Sequence, residues 1–207
     1  MKNCKSDNIL LTEGATDCRV IKKFCENNNI NDKNFSFCNC GRQSLVFHRI
    51  KTILKGSIGH RPNAVGIIID ADSSLSKCYE EVKQELKKYD NLPSEFPKEG
   101  LIIEQECLPK LGIWIMPNNK DKGTLEDFYL QLTDINTDFI EDVIKKAKYR
   151  NLTSFKPQHR NKAIVQTYFA WQDRPGAPLK DSLNRVELDN NKDIAIAFKK
   201  WLTDLFN

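Results

Sequence analysis

Ala64-Val65-Gly66-Ile67-Ile68-Ile69-Asp70-Ala71-Asp72 is the stretch on which the fold turns. From Ala64 to Ile69 it is continuously apolar, about strand length and too short for a helix, as expected of a parallel strand covered on both faces. Upstream, Val46, Ile50, Ile53 and Leu54 recur at helical spacing and run into Gly56 and Gly59. Phe35 to Phe37 reads as a strand, and Val20, Ile21, Phe24 and Cys25 mark another helix with Thr16 as its N-cap. Asn8 to Leu11 is a short apolar strand stopping at Glu13-Gly14. Downstream, Leu75, Tyr79, Val82 and Leu86 share one helical stripe, capped by Ser73 or Ser74. Strand and helix alternate three times, which predicts an α/β fold with a mainly parallel sheet flanked by helices.

The remainder is less regular. Asn91 to Gly100, with two prolines and a glycine, is expected to be a surface loop. Leu101 to Ile103 and Ile113 to Met116 read as strands joined through Pro109, a candidate hairpin. Leu125 to Leu132, Phe139 to Tyr149 and Lys162 to Trp171 are expected to be helical, Arg174 to Pro178 to break the chain, and Ile194 to Leu205 to form a last helix. This divides the chain into an α/β core over residues 1–134 and a helical C-terminal extension over residues 135–207, packed together as one structural unit. Trp171, Trp201 and Phe198 read as core, with a docking surface as the alternative.

Composition bounds the function. The 207 residues are 40% hydrophobic and 29% charged, which excludes disorder. A net charge of +4 is too mild for a wholesale polyanion binder, so any nucleic-acid contact needs a local patch. No apolar run approaches bilayer-spanning length, and no secretory signal is evident, so no membrane partner is expected and a cytoplasmic location is. The seven cysteines contain no C-x-x-C pair and read as buried thiols, with no disulfide framework expected. His48, His60 and His159 are far apart and read as structural or surface residues.

Acids gather where the strands end. Glu13 follows the first strand and Asp70 the most apolar one, and in open parallel sheets ligands bind beyond the carboxyl ends of strands. Asp72 would point the same way as Asp70 if the chain stayed extended, and Asp17 lies one helical turn after Glu13. Several carboxylates in one place repel unless a hard divalent cation, Mg²⁺ or Mn²⁺, lies among them. Bland readings stand beside this one. Asp17 suits the first turn of a helix, Asp72 suits a turn before two serines, and Glu13 suits a solvated loop. Asp70 is harder to dismiss, because an acid closing a run of isoleucines needs a partner.

With those residues in view, the chain resembles the topoisomerase–primase (Toprim) superfamily. Leu10-Leu11-Thr12-Glu13-Gly14 looks like that family's strand-Glu-Gly motif, and Ile67-Ile68-Ile69-Asp70-Ala71-Asp72 like its strand-Asp-x-Asp motif. Trp114 to Asn119, Gly123 to Phe128, Ala170 to Gly176 and Trp201-Leu202 are similar to a bacterial Toprim-like family of unknown function, domain of unknown function 3226. The resemblance implies a Toprim-like, Rossmann-like sheet and divalent-metal-dependent phosphodiester hydrolysis of nucleic acid, DNA or RNA, by a nuclease or nuclease subunit. It makes Glu13 a general acid/base or metal-contacting carboxylate and gives Mg²⁺ to Asp70 and Asp72. Asp17 matches an acidic position that overcoming-lysogenization-type nucleases use for a second metal, with Glu126 or Asp127 completing that site. Lys120 and Lys122, just upstream, are candidates to neutralise charge on the phosphate. Some Toprim nucleases work with an ATPase, fused or separate, and because the chain has no G-x-x-x-x-G-K-[ST] loop the resemblance makes a separate ATPase a candidate partner.

Lys145, Lys146, Lys148, Arg150, Lys156, His159, Arg160 and Lys162 make the later helices basic, with Tyr149 and Phe155 interleaved. Lys145, Lys146, Arg150, Lys156 and Arg160 are therefore candidate nucleic-acid contacts, against the alternative of a solvated helix face. Two other functions compete. Asp70-Ala71-Asp72-Ser73 also fits a haloacid-dehalogenase-type phosphatase with Asp70 as nucleophile, although a strand-Glu-Gly unit then comes unexpectedly first. The other is a non-catalytic Toprim-like binding module partnering an ATPase.

Overall fold

The structure is a computed structural model and describes residues 6–56, 61–175 and 186–207. Cys4, Gly59, His60 and the Gly176–Pro178 part of the expected chain break lie outside the described residues. Five strands form one sheet: β1 (Asn8–Thr12), β2 (Ser36–Asn39), β3 (Ala64–Asp70), β4 (Leu101–Ile103) and β5 (Lys110–Met116), in the order β2-β1-β3-β5-β4. β1 pairs parallel with β2 and β3, and β3 parallel with β5. β4 pairs antiparallel with β5, so the expected hairpin is present, with β5 beginning at Lys110 and running through the sheet. The central position of β3 explains its apolar sequence: it is bonded on both edges and covered on both faces.

Among the described residues there are seven α-helices: α1 (Ala15–Asn27), α2 (Gln43–Lys55), α3 (Leu75–Glu85), α4 (Leu125–Gln131), α5 (Asp138–Tyr149), α6 (Arg160–Ala170) and α7 (Asp193–Phe206). Side chains alternate across β3 and β5 and feed two cores. Val65, Ile67, Ile69, Ile113 and Ile115 pack with α2 and α3. Leu10, Ile68, Trp114 and Met116 pack on the other side with α1, α4, α6 and α7. Ser74 caps α3, accepting from the Lys77 N–H. α1 begins two residues earlier than Thr16 would set it: Gly14 is the N-cap, and the Asp17 carboxylate accepts from the Gly14 N–H at 3.1 Å.

The C-terminal helix is built into the core. Phe198 meets Phe24, Trp114 and Phe128 with ring centroids 4.9–5.1 Å apart, and each such pair is worth about 0.5–1.5 kcal/mol beyond its buried area. Gly66 and Gly112 are register partners on β3 and β5. A Cβ on Gly112 would lie 2.4 Å from Leu205 Cδ2, and one on Gly66 would lie 3.0 Å from the same atom. The paired glycines thus form a notch that α7 fills, something a side chain at either position would obstruct. Trp201 and Phe198 are buried as expected, whereas Trp171 is 50% exposed. Cys18, Cys25, Cys40, Cys78 and Cys107 are free thiols; Cys25 and Cys78 are buried, but Cys107 is exposed and Cys38 is disulfide-bonded, and both depart from the expected buried thiols. No helix among the described residues is long and apolar enough to cross a membrane.

Candidate functional site

β1 lies between β2 and β3, so the chain leaves β1 for α1 on one face and leaves β3 for α3 on the other. This divergence opens a crevice between the carboxyl ends of β1 and β3, the place where doubly wound sheets bind ligands. Glu13 and Asp70 flank it. Glu13 Oε1 accepts from the Asp70 N–H at 3.0 Å, joining the two strand ends directly. Asp70 Oδ1 accepts from the Leu125 N–H at 3.0 Å, at the first turn of α4. Each carboxylate is therefore aimed by a backbone donor, as is that of Asp17.

Burial, and after it the charge of neighbouring acids, raises the proton affinity of these carboxylates. Burial pushes Glu13 above the usual carboxylate range; the Asp70 N–H opposes this and the Asp72 charge adds to it. Burial likewise lifts Asp17 to about 6, with the charges of Glu13 and Glu126 contributing upward and backbone N–H donors downward. Asp70 stands well above its ordinary value, through burial first and then the charges of Glu13, Asp17, Glu126 and Asp72. Like charges meet here in a partly desolvated crevice.

Asp72 sits differently from the extended-chain expectation. β3 ends at Asp70, and Asp72 has φ 49°, in the left-handed region, where its N–H donates to Gly123 O at 2.9 Å. Asp72 is exposed at the rim instead of continuing the strand. Gly123, at φ +147°, takes a backbone conformation that suits glycine and leaves room for the Asp127 side chain: a Cβ there would lie 2.8 Å from Asp127 Cγ.

The structure separates Glu126 from Asp127. The Asp127 carboxylate takes the Thr124 N–H at 2.9 Å as a helix cap and a further hydrogen bond from Asn161 Nδ2. Glu126 is the one whose charge is felt by Asp17 and Asp70, and Lys162 lies 3.7 Å from its Oε1. Beside them opens a cleft of about 470 Å³ whose lining includes Asp72, Lys122, Thr124, Asp127, Arg160 and Asn161. Lys120 instead opens on another cleft, with Tyr79 and Phe96.

All the gathered donors are oxygens, which suits a hard cation such as Mg²⁺ or Mn²⁺. As the side chains stand, however, no three His, Cys, Asp or Glu residues among the described residues form a group able to hold one ion. The donor chemistry therefore fits, while closing a coordination sphere requires side-chain rearrangement.

The basic residues fall on α5, at the start of α6 and in the segment between them. Lys145 pairs with Asp142 at 3.2 Å and Arg160 with Glu141 at 2.5 Å. Lys146, Arg150 and Lys156 are exposed. Asn161 and Lys162 reach the α4 acids from α6; the basic run contains Lys162, but nothing local in the sequence indicates that reach.

Asn119, in the stretch after β5, has a structural task. Its buried side chain accepts the Ile115 N–H at 2.8 Å, and its own N–H donates to Ile115 O at 2.9 Å. This satisfies β5 where the three-residue β4 no longer reaches it.

No curated protein and no solved structure matches the chain. A family model described as "Protein of unknown function (DUF3226)" matches residues 7–207, nearly the full length, and the chain belongs to that family.

Proposed function

We propose that this protein is a divalent-cation-dependent phosphodiesterase acting on nucleic acid, of the Toprim type its motifs resemble, working as a nuclease or as a nuclease subunit beside a separate ATPase. The observation that supports it is the convergence of Glu13, Asp17 and Asp70 at the β1–β3 crevice, each carboxylate held by a backbone N–H and raised in proton affinity by burial first and neighbouring acids second. Such crowding is unfavourable to an isolated protein and favourable to one that captures a cation. Asp70 and Asp72 would hold the first ion, with Asp17 and Glu126 available to a second. When bound, Mg²⁺ or Mn²⁺ supplies charge neutralisation and Lewis acidity toward a phosphate.

The chain's own residues do the rest. Glu13, with its raised proton affinity, exchanges a proton with the attacking water or leaving oxygen. Lys122 and Arg160, which line the same cleft as Asp72, receive the phosphate by charge. Asp127 positions the α4 turn and Asn161 fixes Asp127.

The test combines Mn²⁺ binding, read by electron paramagnetic resonance, with incubation of plasmid, single-stranded DNA and RNA with Mg²⁺ or Mn²⁺. Cation binding and cleavage should both be present in the natural chain, with cleavage lost in Glu13→Gln and Asp70→Asn. Absence of Mn²⁺ binding at millimolar concentration overturns the reading.

A second reading is favoured by the incomplete coordination group: a non-catalytic module whose acids take a cation to shape a binding surface. Mn²⁺ binding without cleavage of any of the three substrates, in the presence of the cognate ATPase, would select it.

A further inference from the structure

α5 carries an outward face unlike the rest of the surface. Tyr149 is 90% exposed, Phe139 69% and Leu152, just beyond the helix, 74%. Helical periodicity aligns Phe139, Lys146 and Arg150 along one side of α5, with Tyr149 adjacent. Trp171, at the end of α6, meets Phe139 with ring centroids 5.8 Å apart and remains half exposed itself. Large apolar side chains concentrated on one outer region call for an occupant.

The charges beside them indicate which. Residues 138–160 hold six Lys or Arg and three Asp or Glu, 6 − 3 = +3. No acid among the described residues lies within ion-pair distance of Lys146, Lys148, Arg150 or Lys156. Free cations interleaved with exposed rings suit a chain that offers phosphates and unstacked bases together. A duplex offers the phosphates but hides its base faces.

We infer that the outer face of α5, extended by Trp171, is a platform for single-stranded nucleic acid, with Tyr149 and Phe139 stacking on bases and Lys146 and Arg150 holding phosphates. This deepens the nucleic-acid reading above and rests on it for the ligand class. The platform also connects to the proposed reaction site. From Arg150 the chain continues to Pro157, Gln158 and Arg160, which line the cleft beside Asp72. A strand lying along α5 is thereby led toward the carboxylates.

The experiment measures fluorescence anisotropy of labelled oligo-dT, oligo-rU and a duplex of equal length with the full chain in EDTA, so that hydrolysis plays no part. At least one single strand should bind about tenfold tighter than the duplex. Tyr149→Ala should weaken that binding about tenfold, Tyr149→Phe should preserve it, and Lys146→Glu with Arg150→Glu should weaken it further and flatten its salt dependence. These side chains are exposed, so the variants should fold, as circular dichroism will show.

Equal affinity for the duplex, or indifference to Tyr149→Ala, overturns the inference. So does failure to bind any nucleic acid, which would point to an acidic protein as occupant. The two readings separate cleanly: single-strand binding without cleavage in Mg²⁺, with the partner ATPase present, leaves the platform and removes the nuclease. Cleavage without single-strand preference does the reverse.

Discussion

Midway along β3, Gly66 meets Leu205 and Phe206 so closely that a methyl group has no room, while at the end of the same strand Asp70 is pressed by the charges of four other carboxylates. The first environment is complementary, with a notch of two glycines filled by a helix. The second is frustrated, with acids held together by backbone N–H groups against their repulsion. One strand thus serves both purposes. Its rigid middle fixes the position of an end that the fold alone does not satisfy.

Substitutions in the middle should cost most. Trp114→Ala empties the space beside the stacked Phe198 and Trp201 rings and should lower stability by about 3–5 kcal/mol in urea denaturation. A cost below about 1 kcal/mol would mean that this face is not the tightly packed region described. Gly112→Ala should cost about 1–3 kcal/mol, and adding Leu205→Ala should cost less than the two separate losses combined, because the clash and its cause are removed together. Strict additivity would refute the notch.

The crevice should respond to pH with the opposite sign to an ordinary salt-bridged acid. Asp17 is raised from 3.8 to about 6 in the folded chain, so between these values the folded state binds more protons than the unfolded one. Its contribution is greatest at low pH and is lost as pH rises through about 6, a change on the order of 3 kcal/mol without divalent cation; Asp70 acts in the same direction. Denaturation across that range should show the slope, and Asp17→Asn should reduce it while preserving an oxygen for the Gly14 N–H. A slope of the reverse sign would refute the crowding. Smallest of all, Lys162→Ala removes an exposed partner of Glu126 and should alter stability by no more than about 0.5 kcal/mol. A larger loss would place Lys162 inside the frustrated region.

The sheet was legible because its signals are local. An uninterrupted apolar run means a central strand, and an acid at its end lies at the rim, as Asp70 does. The hairpin at β4 and β5 was likewise readable from two short runs around Pro109. Thr16 looked like the natural cap, yet Gly14 took the position, since an acid three residues into the helix can supply the capping oxygen from the other side. Asp72 could not be placed, because its left-handed turn depends on Gly123, far along the chain. Trp171 misled because an aromatic residue at a helix end reads as core, and only the packed structure shows which ring remains outside. The Gly66–Gly112 notch depends on strand register, which neither glycine reveals alone.

The seating of α7 also governs how the polypeptide can be made. The floor of its notch is complete once β5 has emerged from the ribosome, but Phe198, Trp201 and Leu205 follow much later. Until they arrive, the part of the nascent sheet that this helix covers stays greasy and exposed, a natural target for chaperones and a hazard wherever translation stalls before the final helix.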